Sequence, residues 1–185
     1  LIKFIKRNKQ RIYTQSNQVK IFEKKWSNWL GCKYSVFVNS GSSANLLSIL
    51  ALKILYGKGE IIVPTLTWIS DIASVIQNGF KPIFVDINPT TLCMDNDQII
   101  KKINKKTKAV FITHAQGFNG LSYDLLKYLK KKKIHLIEDV CESHGAKFKQ
   151  KKLGTFGIMS NFSFYYAHHM STIEGGMICT DKKKI

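Results

Sequence analysis

The sequence predicts an α/β domain built on a mostly parallel sheet with helices on both faces. Two observations carry this. Short apolar segments alternate with helical ones along the chain, the pattern of strands joined by right-handed helical crossovers. Those segments (IIVP, PIFVDI, AVFIT, IHLIED) lack in–out alternation of apolar and polar residues, so they suit a sheet covered on both sides. Internal repeats, low-complexity stretches and Pro/Gly-rich linkers are absent from the 185 residues, which fits one domain.

The elements follow in order. Ser16 is a natural N-cap for a helix in which Val19, Phe22, Trp26, Trp29 and Leu30 recur at helical spacing, and Gly31 can end it. Tyr34 to Val38 reads as a strand, Asn39 to Ser43 as a turn, and Ala44 to Leu55 as a helix. Glu60 to Val63 is a short buried strand closed by Pro64, and Trp68 to Gln77 a helix ended by Asn78-Gly79. Strands are expected at Pro82–Ile87 and Ala109–Thr113, with a short helix at Asp97–Ile103 between them. A loop holding Gly117 and Gly120 leads to a helix capped by Ser122 and running to Lys132. Ile134–Glu138, Asn161–Tyr166 and Met177–Thr180 read as the last strands, with a polar turn or small hairpin at Lys147–Lys152. In such sheets ligands bind beyond the carboxyl ends of the strands, so the chemistry belongs in the segments that follow each strand.

The charge is the unusual number. There are 29 Lys+Arg against 12 Asp+Glu, a formal +17, and only Arg7 and Arg11 are arginines. Arginine supplies most bidentate recognition of bases and phosphates, so a lysine excess with abundant Ile and Asn reads as compositional drift. The runs Lys130–Lys133 and Lys182–Lys184 read as solvated faces, and no nucleic-acid partner is expected. No apolar run approaches the roughly 18 residues of a membrane span. The best one, Leu46 to Tyr56, is short and carries Lys53. Cys32, Cys93, Cys141 and Cys179 lie far apart without a C-x-x-C pair, against a zinc site or a dense disulfide framework. No metal is expected, and reduced thiols fit a cytoplasmic protein. The chain opens on Leu1 and stops at Ile185 beyond an apolar segment, which suggests a fragment.

Three segments carry chemistry. In VNSGSSANLLSILAL, small residues precede a helix, so free N–H groups and the positive dipole end meet as an anion or phosphate cradle. Neither a P-loop nor a dinucleotide fingerprint is present, and Gly-Ser is also an ordinary capping turn. In IHLIEDVCESHGA, Asp139 closes an apolar strand, where a carboxylate is costly unless paired. It faces a cation such as a metal or a protonated ring nitrogen, or it caps the following turn. Trp68 heads a helix and either stacks on a flat ligand or packs in the core. In SNFSFYYAHHMSTIEGGMICT, His168 and His169 sit in a polar stretch between apolar strands. Adjacent histidines do not converge on one metal from a helix, so a general base is favoured over a ligand set, while the pair by itself reads first as ordinary hydrogen-bonded loop residues. His114, His135 and His144 lack comparable context.

Together and in order, VNSGSSANLL, EIIVPTLTWIS, GFKPIFVDINPTTLCMD, KAVFITHAQG, IEDVCESHGA, LGTFG, FSFY and EGGMICT resemble the sugar aminotransferase/dehydratase family DegT/DnrJ/EryC1/StrS, from about Ser16 onward. The resemblance implies the aspartate-aminotransferase-like fold (fold type I) and a pyridoxal 5'-phosphate or pyridoxamine 5'-phosphate cofactor. It implies that residues 1–185 are an N-terminal segment and most of the large cofactor-binding domain, with a smaller C-terminal domain beyond them. By matching positions, Ser42, Ser43 and Ser163 hold the cofactor phosphate, Trp68 stacks on the pyridine ring and Asp139 faces the pyridine nitrogen. Glu142 stands near the ring, where many relatives have Gln. A homodimer with the active site between subunits is also implied.

One position departs from the aminotransferase pattern. Five residues after Ser163, where aminotransferases of the family have the lysine that binds the cofactor aldehyde, this chain has His168. An imidazole forms no stable Schiff base but moves protons near neutral pH. His-His followed by Glu-Gly-Gly resembles the pyridoxamine-phosphate-dependent 3-dehydratases of deoxysugar pathways. The implied reaction is C3 deoxygenation of a nucleotide-linked 4-keto-6-deoxyhexose, with His168 as the base. The alternatives are a nucleotide-sugar aminotransferase, and a non-catalytic regulator that binds cofactor or nucleotide-sugar.

Overall fold

A computed structural model describes residues 2–7 and 15–185. After a short helix α1 (Ile2–Arg7), helix α2 spans Asn17–Leu30. The Ser16 hydroxyl accepts the Gln18 N–H at 3.3 Å, and Gly31 at φ 93° ends the helix. Strand β1 (Tyr34–Val38) follows as expected. Helix α3 starts at Gly41, three residues earlier than the sequence suggests, and runs to Tyr56. The Ser40 hydroxyl accepts the Ser43 N–H at 3.1 Å, so the small residues read as a turn are already the first helical turn.

Strand β2 (Glu60–Pro64), helix α4 (Ile69–Gln77) and strand β3 (Lys81–Val85) come next, with Trp68 as the N-cap of α4. Beyond β3, Ile87 makes a single bridge to Met94 instead of extending the strand. Helix α5 (Asn96–Lys102), strand β4 (Thr107–Thr113), a 3-10 turn at Ala115–Gly117, helix α6 (Tyr123–Lys132) and strand β5 (His135–Asp139) complete the alternating part. The polar segment is a hairpin of β6 (Lys147–Phe148) and β7 (Lys151–Lys152). Its turn residues Lys149 and Gln150 both have positive φ, as a tight two-residue hairpin turn requires. Strand β8 covers Met159–Ser163, shifted toward the N-terminus from the expected Asn161–Tyr166, and β9 covers Gly176–Thr180.

Seven strands form one sheet in the order β1-β9-β8-β5-β4-β2-β3. Pairing is parallel from β3 through β8; β9 alone is reversed, antiparallel to both β8 and β1. The carboxyl ends of β1, β2, β4, β5 and β8 therefore share one edge of the sheet. The twofold period of each strand feeds two cores. Ile61, Val63, Phe111, Ile137 and Met159 pack with Ile49, Leu52 and Val75 beneath α3 and α4. Ile62, Val110, Ile112, Leu136 and Phe162 pack on the opposite face with Trp26, Ile99, Leu125 and Leu129 of α2, α5 and α6.

At the end of β5 the same period sends Glu138 and Asp139 to opposite faces. Glu138 is fully buried. It meets His114 Nε2 at 3.1 Å and accepts the N–H groups of Gly154, Phe156 and Gly157 at 2.8, 2.8 and 2.7 Å. His114 Nδ1 accepts the Gly120 N–H at 3.1 Å, which leaves Nε2 to donate to the carboxylate. This carboxylate fixes the entry to β8. Replacing Glu138 by Ala strands one imidazole and three backbone donors and is expected to cost about 3 kcal/mol or more of stability in urea unfolding. A loss below about 1 kcal/mol would show that the clamp contributes little.

Candidate functional site

The site is assembled at the shared strand edge. Ser40 closes the β1–α3 turn, and its hydroxyl lies 3.1 Å from the Ser43 hydroxyl. Ser42 is exposed in the first turn of α3. Ser163, the last residue of β8, sits against this turn: a Cβ placed on Gly41 would lie 2.6 Å from the Ser163 Cβ. Only a glycine there lets the serine approach the helix start. Gly176 plays the same part from β9, since a Cβ on it would lie 2.2 Å from the Ser40 carbonyl oxygen. Ser42, Ser43 and Ser163 are thus brought to the N-terminus of a sixteen-residue helix, with its aligned dipole and free first-turn N–H groups.

Asp139 is buried beside them. Its Oδ1 accepts the Cys141 N–H at 2.9 Å, and its Oδ2 accepts from Asn45 Nδ2 of α3 at 3.0 Å. No lysine, arginine or histidine pairs with Asp139 among the described residues. The carboxylate does bind the following turn, the second of the two readings of this residue. Its buried charge is still without a cation, which suits a cationic ligand atom. Burial, and then the Asp139 charge, push the Cys141 thiol well above its usual range, so that sulfur is a neutral neighbour.

Trp68 is 72% exposed, which removes core packing as its role. The preceding Thr67 ties this segment to the site through Asp71 and Thr113. Glu142 lies in the β5 turn, and its Oε2 accepts the backbone and side-chain N–H groups of Gln116 at 3.1 and 3.2 Å. It therefore anchors the 3-10 turn. His168 is half-buried in the turn that closes on Tyr165. Its ring centroid lies 6.0 Å from that of Tyr165 and 6.3 Å from that of His144.

The sequence does not single out Asn45, which bonds both Asp139 and Asp71, or Thr67 and Thr113, which bond Asp71, and it gives no context to His144, which packs against the His168 turn. The available signal was one acidic residue in α4 and one amide in the mostly apolar α3. His144 is wedged among Trp26, Phe162 and Phe164, 5.8 Å from the His169 ring. Neither ring nitrogen has a hydrogen-bond partner among the described residues. Of the remaining histidines, His114 serves Glu138, and His135 packs at a tilt on Tyr56, with ring centroids 4.0 Å apart. No group of three or more His, Cys, Asp or Glu side chains is placed to hold a metal ion among the described residues.

A helix start lined with small residues, a buried carboxylate without a cation and an exposed tryptophan share one edge of this sheet, whose fold is that of the fold-type-I pyridoxal-phosphate enzymes. The model of the DegT/DnrJ/EryC1/StrS aminotransferase family matches residues 3–185, and the chain belongs to that family. It is 39% identical over 180 residues to a GDP-4-keto-6-deoxy-D-mannose 3-dehydratase of Yersinia pseudotuberculosis, covering 94% of this chain and 46% of that protein. Against a GDP-perosamine synthase of Escherichia coli O157:H7 it is 37% identical over 174 residues, covering 94% of this chain and 48% of that protein. The structure of an E. coli GDP-4-keto-6-deoxy-D-mannose-3-dehydratase with bound hydrated PLP superimposes with a TM-score of 0.87 at 40% identity, covering 92% and 45% of the two chains. The chain spans about half the length of these relatives.

His144 supplies a pH signature. Burial first, and then the neighbouring His169 and His168, lower its pKa to about 4. The unfolded chain takes up a proton near pH 6.5 and the folded chain only near pH 4, so stability is full above about pH 6.5 and falls as pH drops toward 4. The loss expected across that window is about 2 kcal/mol, allowing for partial exposure. Thermal unfolding of His144→Phe should show this slope flattened.

Proposed function

We propose that the full-length protein is a pyridoxamine-phosphate-dependent 3-dehydratase of a nucleotide-linked 4-keto-6-deoxyhexose. The observation that carries this is His168, an imidazole five residues beyond Ser163, in the position where aminotransferases of the family have a lysine. The 3-dehydratase relatives at 39–40% identity support the same reading and make GDP-4-keto-6-deoxy-D-mannose the first substrate to try.

The residues present fit the cofactor. The cradle between Gly41 and Ser163 would take a phosphate, and buried Asp139 without a cation would hold a proton on a pyridine nitrogen. Trp68, with its face in solvent, would cover one side of a planar ring. Bound there, the cofactor supplies an amine for the sugar ketone and a protonated ring that draws electron density from the reacting carbon. Asp139 keeps that ring cationic, because a carboxylate in a water-poor site stabilises the proton opposite it. His168 would take up, at a ring nitrogen, the proton released from the reacting carbon and could pass it to the C3 hydroxyl, which departs as water. With no lysine at that position, the cofactor is held by the phosphate cradle, the carboxylate and the stacking face.

The α3 face with Leu46, Leu47, Leu50 and Ile54 exposed gives the full-length protein an apolar surface to bury, which supports a homodimer. No helix among the described residues is long and apolar enough to cross a membrane. The second reading, amino transfer, is favoured by the 37% identity to the GDP-perosamine synthase.

The full-length protein, given pyridoxamine phosphate and the GDP-linked keto-sugar, should form a 3-deoxy sugar detectable by mass spectrometry. An amino sugar without a 3-deoxy product would establish the second reading. His168→Asn should lose elimination by about 10²–10⁴-fold while still binding cofactor. Full elimination by that variant would remove His168 from the base role.

A further inference from the structure

Asp71 is a second carboxyl behind Asp139, and nothing so far gives it a role. It is fully buried on the inner face of α4. Thr67 and Thr113 hydroxyls lie 2.5 and 2.6 Å from its Oδ2, and 2.9 Å from each other. Asn45 Nδ2 bridges the two acids, 2.6 Å from Asp71 Oδ1 and 3.0 Å from Asp139 Oδ2, with Ser70 Oγ at 3.1 Å. The titratable groups facing Asp71 are Asp139 of β5 and Cys141 just beyond it; the rest of its shell is amide and hydroxyl. No cation pairs with either carboxyl among the described residues.

Two ionised carboxylates bridged by one amide, without a cation, repel each other in a medium that screens little. Asp139 has the better claim to the charge, because the Cys141 N–H can only donate to it. The Thr67 and Thr113 hydroxyls around Asp71 can donate or accept, so they tolerate a neutral acid. We propose that Asp71 and Asp139 share one proton in the cofactor-free protein, with Asp71 the neutral member, and that Asp71 is a positioning residue for Asp139. It holds Asn45 and Thr67 in place and leaves a single negative charge aimed at the cofactor position. The positioning role rests on the reading that Asp139 faces the cofactor ring; the shared proton does not. Burial, followed by the Asp139 charge, raises the Asp71 pKa in agreement with this.

The test uses full-length apoprotein. Near pH 7 its infrared spectrum should contain a protonated carboxyl stretch that Asp71→Asn removes. The folded protein keeps a proton that the unfolded chain releases above about pH 4, so Asp71 destabilises increasingly as pH rises. Asp71→Asn should therefore raise the melting midpoint by a few degrees near pH 7, with the gain fading toward pH 4. Titration with pyridoxal phosphate should show affinity lowered roughly tenfold in Asp71→Ala and largely recovered in Asp71→Asn, which keeps an acceptor for Asn45 and offers a donor to the Thr67 and Thr113 hydroxyls. A lower midpoint for Asp71→Asn near pH 7, or a carboxyl band that survives it, overturns the shared proton. Affinity unchanged in Asp71→Ala while Asp139→Ala loses it overturns the positioning role. Affinity unchanged in Asp139→Ala overturns the cofactor reading of the site, and the infrared and melting results still decide the proton.

Discussion

Everything at this strand edge depends on how two consecutive carboxylates at the end of β5 are satisfied. Strand geometry points Glu138 and Asp139 to opposite faces of the sheet, so each must find its own partners. Glu138 finds a histidine and three backbone N–H groups and becomes a structural anchor for the segment that leads into β8. Asp139 finds one backbone N–H and one amide and no cation among the described residues, and is left as a charge with unused capacity. One acid therefore stabilises the frame, and its neighbour is available for chemistry.

The phosphate cradle obeys a different constraint, that of close approach. Ser163 reaches the start of α3 only because Gly41 has no side chain, and β9 passes the Ser40 carbonyl only because residue 176 is glycine. The reversed strand β9 lies between β1 and β8, so it sets the spacing between the turn after β1 and the turn after β8. A serine and a helix start far apart in sequence are brought together through that spacing.

Much of this was legible without coordinates. The apolar runs IIVP and AVFIT are strands because nothing polar interrupts them, and the structure buries them on both faces. The caps Ser16 and Ser122 act where their side chains predict. Boundaries were less legible where small residues serve two purposes: the Ser-Gly-Ser-Ser segment reads as a turn and is the opening turn of α3. Strand β8 is shifted because its first residues pair with the middle of β5, a long-range match that no local pattern reveals. Asp71 and Asn45 are illegible for the same reason, since each is one of several polar residues on its helix and acquires its partners only where α3, α4 and β5 meet.

The sequence by itself determined the α/β class and the family, because these reside in residue identity and local period. Only the tertiary structure decided which of two adjacent acids is a structural anchor and which keeps an unpaired charge, and that a third acid stands behind it. Those outcomes depend on burial and on partners tens of residues away, and a carboxylate's cost is set by its surroundings rather than by its neighbours along the chain.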